Sequence, residues 1–158
     1  MLKQSAAAIS KWKGFDEAID RWLQERHELI VLLSKFAENH DFKGADEKSI
    51  GQVQSFTTLL IDYISAGHFE FYNRLIEEGQ AYNDESAVAA VPALLEAIDI
   101  STQAALNFNE KYQSPQSLED LAGDLSDLAE KLVDRFDAED QLIQTLHGNH
   151  IAENQTEA

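Results

Sequence analysis

The sequence predicts an all-α fold, a single-domain bundle of about four long helices. Three observations carry this expectation. Apolar residues recur at alternating steps of three and four, the spacing that lines one face of a packed helix. No stretch alternates apolar with polar as a half-buried strand does. Only two prolines and seven glycines punctuate the 158 residues, so a helix meets few points where it must stop. With 44% apolar residues, a chain of this length can bury a sizeable core.

The first helical region covers residues 5–38 and carries the stripe Phe15, Ile19, Trp22, Arg26, Leu29, Leu33. A break is expected at Gly14, where Asp16 is placed to cap a new start. Residues 39–45 include His40, Asp41 and Gly44 and read as a loop. A second helix over 46–64 presents Ile50, Val53, Thr57, Leu60 and Ile64 on one stripe. Ser65-Ala66-Gly67 interrupts it, as a bend or break before His68, Phe69, Phe71, Tyr72 and Leu75 resume helical spacing.

Residues 77–84 read as a polar loop. A helix over 85–112 carries Val91, Leu94, Leu95, Ile98, Leu106 and Phe108, with Pro92 expected to kink it or to lie near its first turn. Ser114-Pro115 reads as the start of the last helix, with proline at its first position. That helix has the longest seam: Leu118, Leu121, Leu125, Leu128, Leu132, Arg135, Glu139, Leu142, Leu146. It ends near His147, with Gly148 placed to cap it. The domain is thus expected over 1–148, followed by a polar, disordered tail over 149–158.

Arg26, Arg135 and Glu139 stand on stripes that should be purely apolar. A buried charge left without its partner costs about 3–5 kcal/mol. Such breaks therefore signal either a buried network that fixes helix register or a functional site. Phe69 and Phe136 fall one position off the seams, where they would border an open groove.

Composition limits the function. There are 29 acidic residues against 12 basic, a formal charge of -17. Nucleic acid is thereby disfavoured as a direct ligand, and a basic partner is the natural complement. The last helix repeats the imbalance: between Glu119 and Asp140 the only basic residues are Lys131 and Arg135. It reads either as a solvated face or as a docking face for a basic partner. No cysteine is present, which excludes disulfides, thiolate metal sites and thiol catalysis. The N-terminal run Ala6-Ala7-Ala8-Ile9 is too short for a signal peptide, and no apolar run approaches the ~20 residues of a spanning helix.

Catalytic and metal motifs are missing as well. A carboxylate-bridged di-metal bundle needs Glu three residues before His. Gln24, Ala37, Ser65, Gln144 and His147 occupy those positions before the five histidines. The reversed spacing fails too, with Val31, Gly44, Tyr72 and Ile151 four residues after His27, His40, His68 and His147. No Gly-x-Ser-x-Gly and no phosphate-cradling loop occurs. The expectation is a protein without cofactor, metal or enzymatic activity. The rival reading is a bundle that binds a metal or small ligand in its polar cluster.

Three segments resemble the signatures of one family. Asp20-Arg21-Trp22-Leu23-Gln24-Glu25-Arg26-His27-Glu28-Leu29 is similar to the first signature of the regulator of sigma D (Rsd/AlgQ) family. Leu60-Ile61-Asp62-Tyr63-Ile64-Ser65-Ala66-Gly67-His68-Phe69 is similar to the second. Arg135-Phe136-x-x-Glu139-Asp140-x-Leu142-Ile143 is similar to the third. Order and spacing agree, and the similarity runs from about Trp12 to His147. Residues 39–49 and 149–158 depart from the family pattern.

The resemblance implies a cytoplasmic anti-sigma factor. Such a protein binds the C-terminal domain of the housekeeping sigma factor, which reads the −35 element through a helix-turn-helix. Binding sequesters sigma from core polymerase and promoter. An acidic protein suits a recognition helix that is basic because it meets phosphates. Other regulatory proteins, linked to carbohydrate uptake and the stringent response in some members, are compatible as further partners. The candidate sigma-binding residues are Asp20, Trp22, Leu23, Arg26, His27, Asp62, Ser65, His68, Phe69, Arg135, Phe136, Glu139 and Asp140. Arg26, Asp62, His68, Arg135 and Glu139 are expected to meet in one polar cluster, either a binding site or a register-fixing network.

Overall fold

The structure, a computed structural model, describes residues 2–38 and 47–148, with side chains described over 14–36 and 47–148. Helix α1 (Leu2–Glu38) passes through Gly14 without a break. An open glycine costs a helix only about 0.5–1 kcal/mol, and burial of Phe15, Ile19, Trp22 and Leu29 in the turns that follow it outweighs that cost. Asp16 therefore caps nothing, and its carboxylate meets His147 instead.

Helix α2 (Glu47–Ala66) turns Val53, Phe56, Thr57, Leu60, Tyr63 and Ile64 inward. The interruption expected at Ser65-Gly67 takes the form of a π-helical turn, Gly67–Phe71. The Tyr72 N–H donates to the Gly67 carbonyl, so the ladder widens by one residue and α3 (Tyr72–Ala81) continues directly. Gly67 is required there. A Cβ would lie 2.7 Å from Tyr72 Oη and 3.1 Å from Trp22 Cζ2.

Helix α3 extends into the segment read as a loop, because Glu78 is buried and bonds His147. The turn after it uses Asn83 at a φ of 56°. Asp84 caps α4 (Glu85–Tyr112), accepting from the Ala87 N–H at 3.1 Å. Pro92 lies inside α4, beyond its first turn and exposed. Leu106, expected on the inner stripe, is exposed, while Ala105 and Phe108 take the core positions.

Helix α5 begins at Leu121 rather than at Pro115, and ends at Ile143 (Leu121–Ile143). Pro115 sits in the connection, which Lys111 spans with ion pairs to Asp120 and Asp124. A second π-helical turn, Gln144–Gly148, closes the described chain. Residues 39–46 and 149–158, read as a loop and a tail, lie outside the described residues.

The four long elements form a ring: α1 packs on α2, α2 on α4, α4 on α5, and α5 back on α1. Every residue of the α5 seam from Leu118 to Leu146 is buried, charges included. By length and composition α4 reaches what a membrane-crossing helix needs, which the sequence reading did not anticipate. In the bundle it carries Val91, Ile98, Ala105, Phe108 and Tyr112 inward and exposes Glu96 and Asp99.

Candidate functional site

Helices α1, α2, α3 and α5 converge on the carboxylate of Glu139, which is fully buried. An ionised carboxylate there must find donors, since transfer from water without them costs several kcal/mol. Four donors meet it. Oε1 accepts from Tyr63 Oη and, at 3.2 Å, from Arg26 Nη2. Oε2 accepts from Tyr72 Oη at 2.6 Å and from Arg135 Nε at 3.3 Å.

Each tyrosine is itself held by an arginine. Arg26 Nε donates to Tyr63 Oη at 3.0 Å, and Arg135 Nη2 donates to Tyr72 Oη at 2.6 Å. Two Arg-Tyr pairs thus grip the two oxygens of one carboxylate. Burial, with Glu139 next in weight, pushes both phenols far above their ordinary range, so both remain proton donors. Burial works against the charge on Arg26, but Tyr63, Asp140 and Glu139 more than offset it.

The network reaches outward at two edges. Arg26 donates from Nη1 to Asp140, whose side chain is 59% exposed. Arg135, fully buried, donates from Nη1 to Ser101 Oγ at 3.1 Å and Thr102 Oγ1 at 2.8 Å on α4. Thr102 Oγ1 also lies 2.8 Å from the Ile98 carbonyl and 3.0 Å from His68 Nε2. His68 is half-buried there. Burial first, and then nearby Arg135, lower its proton affinity.

Beneath the network runs a stack of rings. Trp22 lies 4.5 Å from Phe71 and 5.0 Å from Tyr63, centroid to centroid, with its Nε1 donating to the Tyr63 carbonyl at 3.2 Å. Phe136 meets Tyr63 edge-on and takes the Arg26 guanidinium over its face at 4.9 Å.

The residues singled out from sequence separate by depth. Trp22, Arg135 and Glu139 are buried. Leu23, Arg26, Ser65, His68 and Phe136 are half-buried, and Asp20, His27, Asp62, Phe69 and Asp140 are exposed. Asp62 does not join the cluster. It points outward from α2, where burial and then Asp62 raise the proton affinity of Glu25. Its position one residue before inward-facing Tyr63 explains this, because adjacent helix residues face about 100° apart. Phe69 is 85% exposed, carried outward on the π-helical turn.

A family model described as "Regulator of RNA polymerase sigma(70) subunit, Rsd/AlgQ" matches residues 1–147. The chain belongs to the Rsd/AlgQ family. It is 31% identical over 152 residues to the "Regulator of sigma D" of Yersinia enterocolitica serotype O:8, covering 91% of this chain and 89% of that protein. The Yersinia pestis protein of the same name is also 31% identical, with 91% and 88% covered. That of Enterobacter sp. (strain 638) is 30% identical over 159 residues, covering 96% and 93%. Membership makes this chain a regulator of the sigma(70) subunit, and so of transcription.

In this Rsd/AlgQ chain the seam-breaking charges find partners that the sequence reading did not name. Tyr63, Ser101 and Thr102 complete the network, and Tyr72 enters it rather than the apolar core alone. A signal existed, since a carboxylate can accept about four hydrogen bonds and hydroxyls can fill those that two arginines leave open. Tyrosines facing inward on α2 and α3 were the available ones. Among the described residues no three His, Asp or Glu side chains are placed to hold a metal ion.

Proposed function

We propose that this protein is an anti-sigma factor that binds the C-terminal, −35-reading domain of the housekeeping sigma factor in the cytoplasm. It withholds that domain from core polymerase and promoter and performs no chemistry. The observation that carries this reading is Phe69, an almost fully exposed aromatic side chain within the family's second signature, with acidic Asp62 and Glu70 near it in sequence. Large apolar side chains held in water are typical anchors of protein interfaces. Carboxylates around such an anchor suit a basic partner, and the formal charge of -17 steers the encounter.

In this reading Phe69, Asp62, Asp20, His27 and Asp140 touch sigma directly. Leu23, Arg26, Ser65, His68 and Phe136 form the floor of the contact. Trp22, Arg135 and Glu139 hold the face in shape from below.

Calorimetric titration with the isolated C-terminal domain of a bacterial housekeeping sigma factor, at low and high salt, tests the proposal. Saturable one-to-one binding that weakens with salt is expected. No heat and no complex on a sizing column would overturn it.

A further inference from the structure

His147 lies outside the network described above and has no part in the proposed sigma contact. It is buried in the second π-helical turn, yet both of its ring nitrogens face carboxylates. Nδ1 is 2.6 Å from Glu78 Oε2 on α3, and Nε2 is 3.0 Å from Asp16 Oδ1 on α1. Glu78 is itself buried, whereas the Asp16 side chain is 54% exposed. An ionised carboxylate only accepts hydrogen bonds, and neutral imidazole has one N–H. The arrangement is satisfied in full only by imidazolium, which donates from both nitrogens at once.

We propose that His147 is a proton-held clamp that ties the C-terminal end of the bundle to α1 and α3, and that losing its proton loosens this end. The surrounding groups fit the role. From α1 come Asp16 and the ring of Phe15, which meets the imidazole edge-on at 5.5 Å. From α3 come Glu78 and Arg74, whose guanidinium lies over the same Phe15 ring at 4.1 Å. On α5, Glu139 and Asp140 are committed to Arg26 and Arg135. The charges that govern the imidazole are those of Glu78 and Asp16. Burial opposes the charged form, but the two carboxylates outweigh it and raise the proton affinity above the ordinary value of 6.5.

The clamp also reaches toward the recognition face. Phe15 stacks on Phe71 at 5.8 Å, and Phe71 belongs to the π-helical turn that carries Phe69.

The sign follows from linkage. A raised affinity means the folded state binds more proton than the unfolded state above pH 6.5, so the contribution is complete below that pH and fades as pH rises through the folded value. The test is a two-dimensional NMR titration of the histidine rings in the full chain, with thermal melting of wild type and His147→Gln at about pH 6 and about pH 9. The His147 signal is expected to titrate above 6.5 with both nitrogens protonated at the acid end. The stability advantage of wild type over His147→Gln is expected to shrink at the higher pH. A His147 midpoint below 6.5, or an advantage unchanged between the two pH values, would overturn the clamp. Should His147→Gln not fold, Asp16→Asn carries the test, because its side chain is half in solvent. A fall of the His147 midpoint in that variant supports the clamp, and an unmoved midpoint sinks it.

Discussion

Arg26 and Arg135 bind opposite oxygens of the Glu139 carboxylate, at 3.2 and 3.3 Å, from helices far apart in the chain. Each also holds the tyrosine that donates to the same oxygen. The consequence is a network whose only carboxylate at the centre has no spare acceptor capacity and whose arginines have no second central anion. Such a unit is suited to fixing the register of α1, α2, α3 and α5 relative to one another, because a slip of any one would strand a buried charge.

Replacing Glu139 with alanine removes the centre and leaves two arginines and two phenols without their acceptor. The expected loss is about 3–5 kcal/mol of folding free energy, read from urea denaturation. A loss below about 1 kcal/mol would mean that water replaces the carboxylate and that the network does little for the fold.

Tyr63→Phe and Tyr72→Phe each delete one donor while keeping the ring in its stack. Each should cost about 1–3 kcal/mol, since an arginine nitrogen and a carboxylate oxygen both lose a partner. The double variant should cost less or more than the sum by at least about 0.5 kcal/mol, because the two hydroxyls share Glu139. Strict additivity in the double-mutant cycle would show that the two halves act separately.

Much of this was legible in the sequence, and the reasons for the rest are specific. The α5 seam could be read because leucine at three- and four-residue steps admits one buried face, and Arg135 and Glu139 stand on it without shifting its phase. The partners were harder to see. Tyr63 looks like an ordinary core aromatic until Glu139, 76 residues away, supplies the reason for its hydroxyl. Asp62 stands outside the cluster because its helix angle, and not its sequence neighbourhood, decides which way it faces. Gly14 and Gly67 both look like helix breakers. Only the packing of Trp22 and Tyr72 distinguishes a glycine that is tolerated from one that is needed.

Gly67→Ala follows from that packing. The added methyl would meet Tyr72 Oη, pinned by the network, and Trp22, held in the ring stack. Overpacking of this kind costs about 1–3 kcal/mol. A lower melting temperature together with altered tryptophan fluorescence is the expected result, while Gly14→Ala, with open space around it, should leave stability unchanged or slightly raised.

His68 and His147 should titrate on opposite sides of 6.5. Burial and Arg135 lower His68, so its unfolded form binds the extra proton and its contribution to stability is lost as pH falls below 6.5. His68→Gln should therefore flatten the acid side of the stability profile, measured as melting temperature against pH. An acid limb that is unchanged in this variant would assign the loss to other groups.

Phe69 and Asp62 separate recognition from stability. Both side chains lie in solvent, so neither carries packing or a buried hydrogen bond, and alanine at either position should change folding free energy by no more than about 0.5 kcal/mol. If Phe69 anchors the sigma domain, Phe69→Ala removes apolar area that is desolvated only in the complex. A loss of about 2 kcal/mol or more is then expected, some thirtyfold or more in Kd, and it should persist at high salt because it is not electrostatic. Asp62→Ala should weaken binding by less, and its effect should fade as salt is added, since the charge acts mainly through the screened field. The two salt responses distinguish an anchor from a steering charge in one pair of titrations. Binding unchanged in Phe69→Ala would move the contact away from the π-helical turn. A fall in melting temperature in either variant would mean instead that the exposed face is part of the fold, and that its loss of binding reports unfolding.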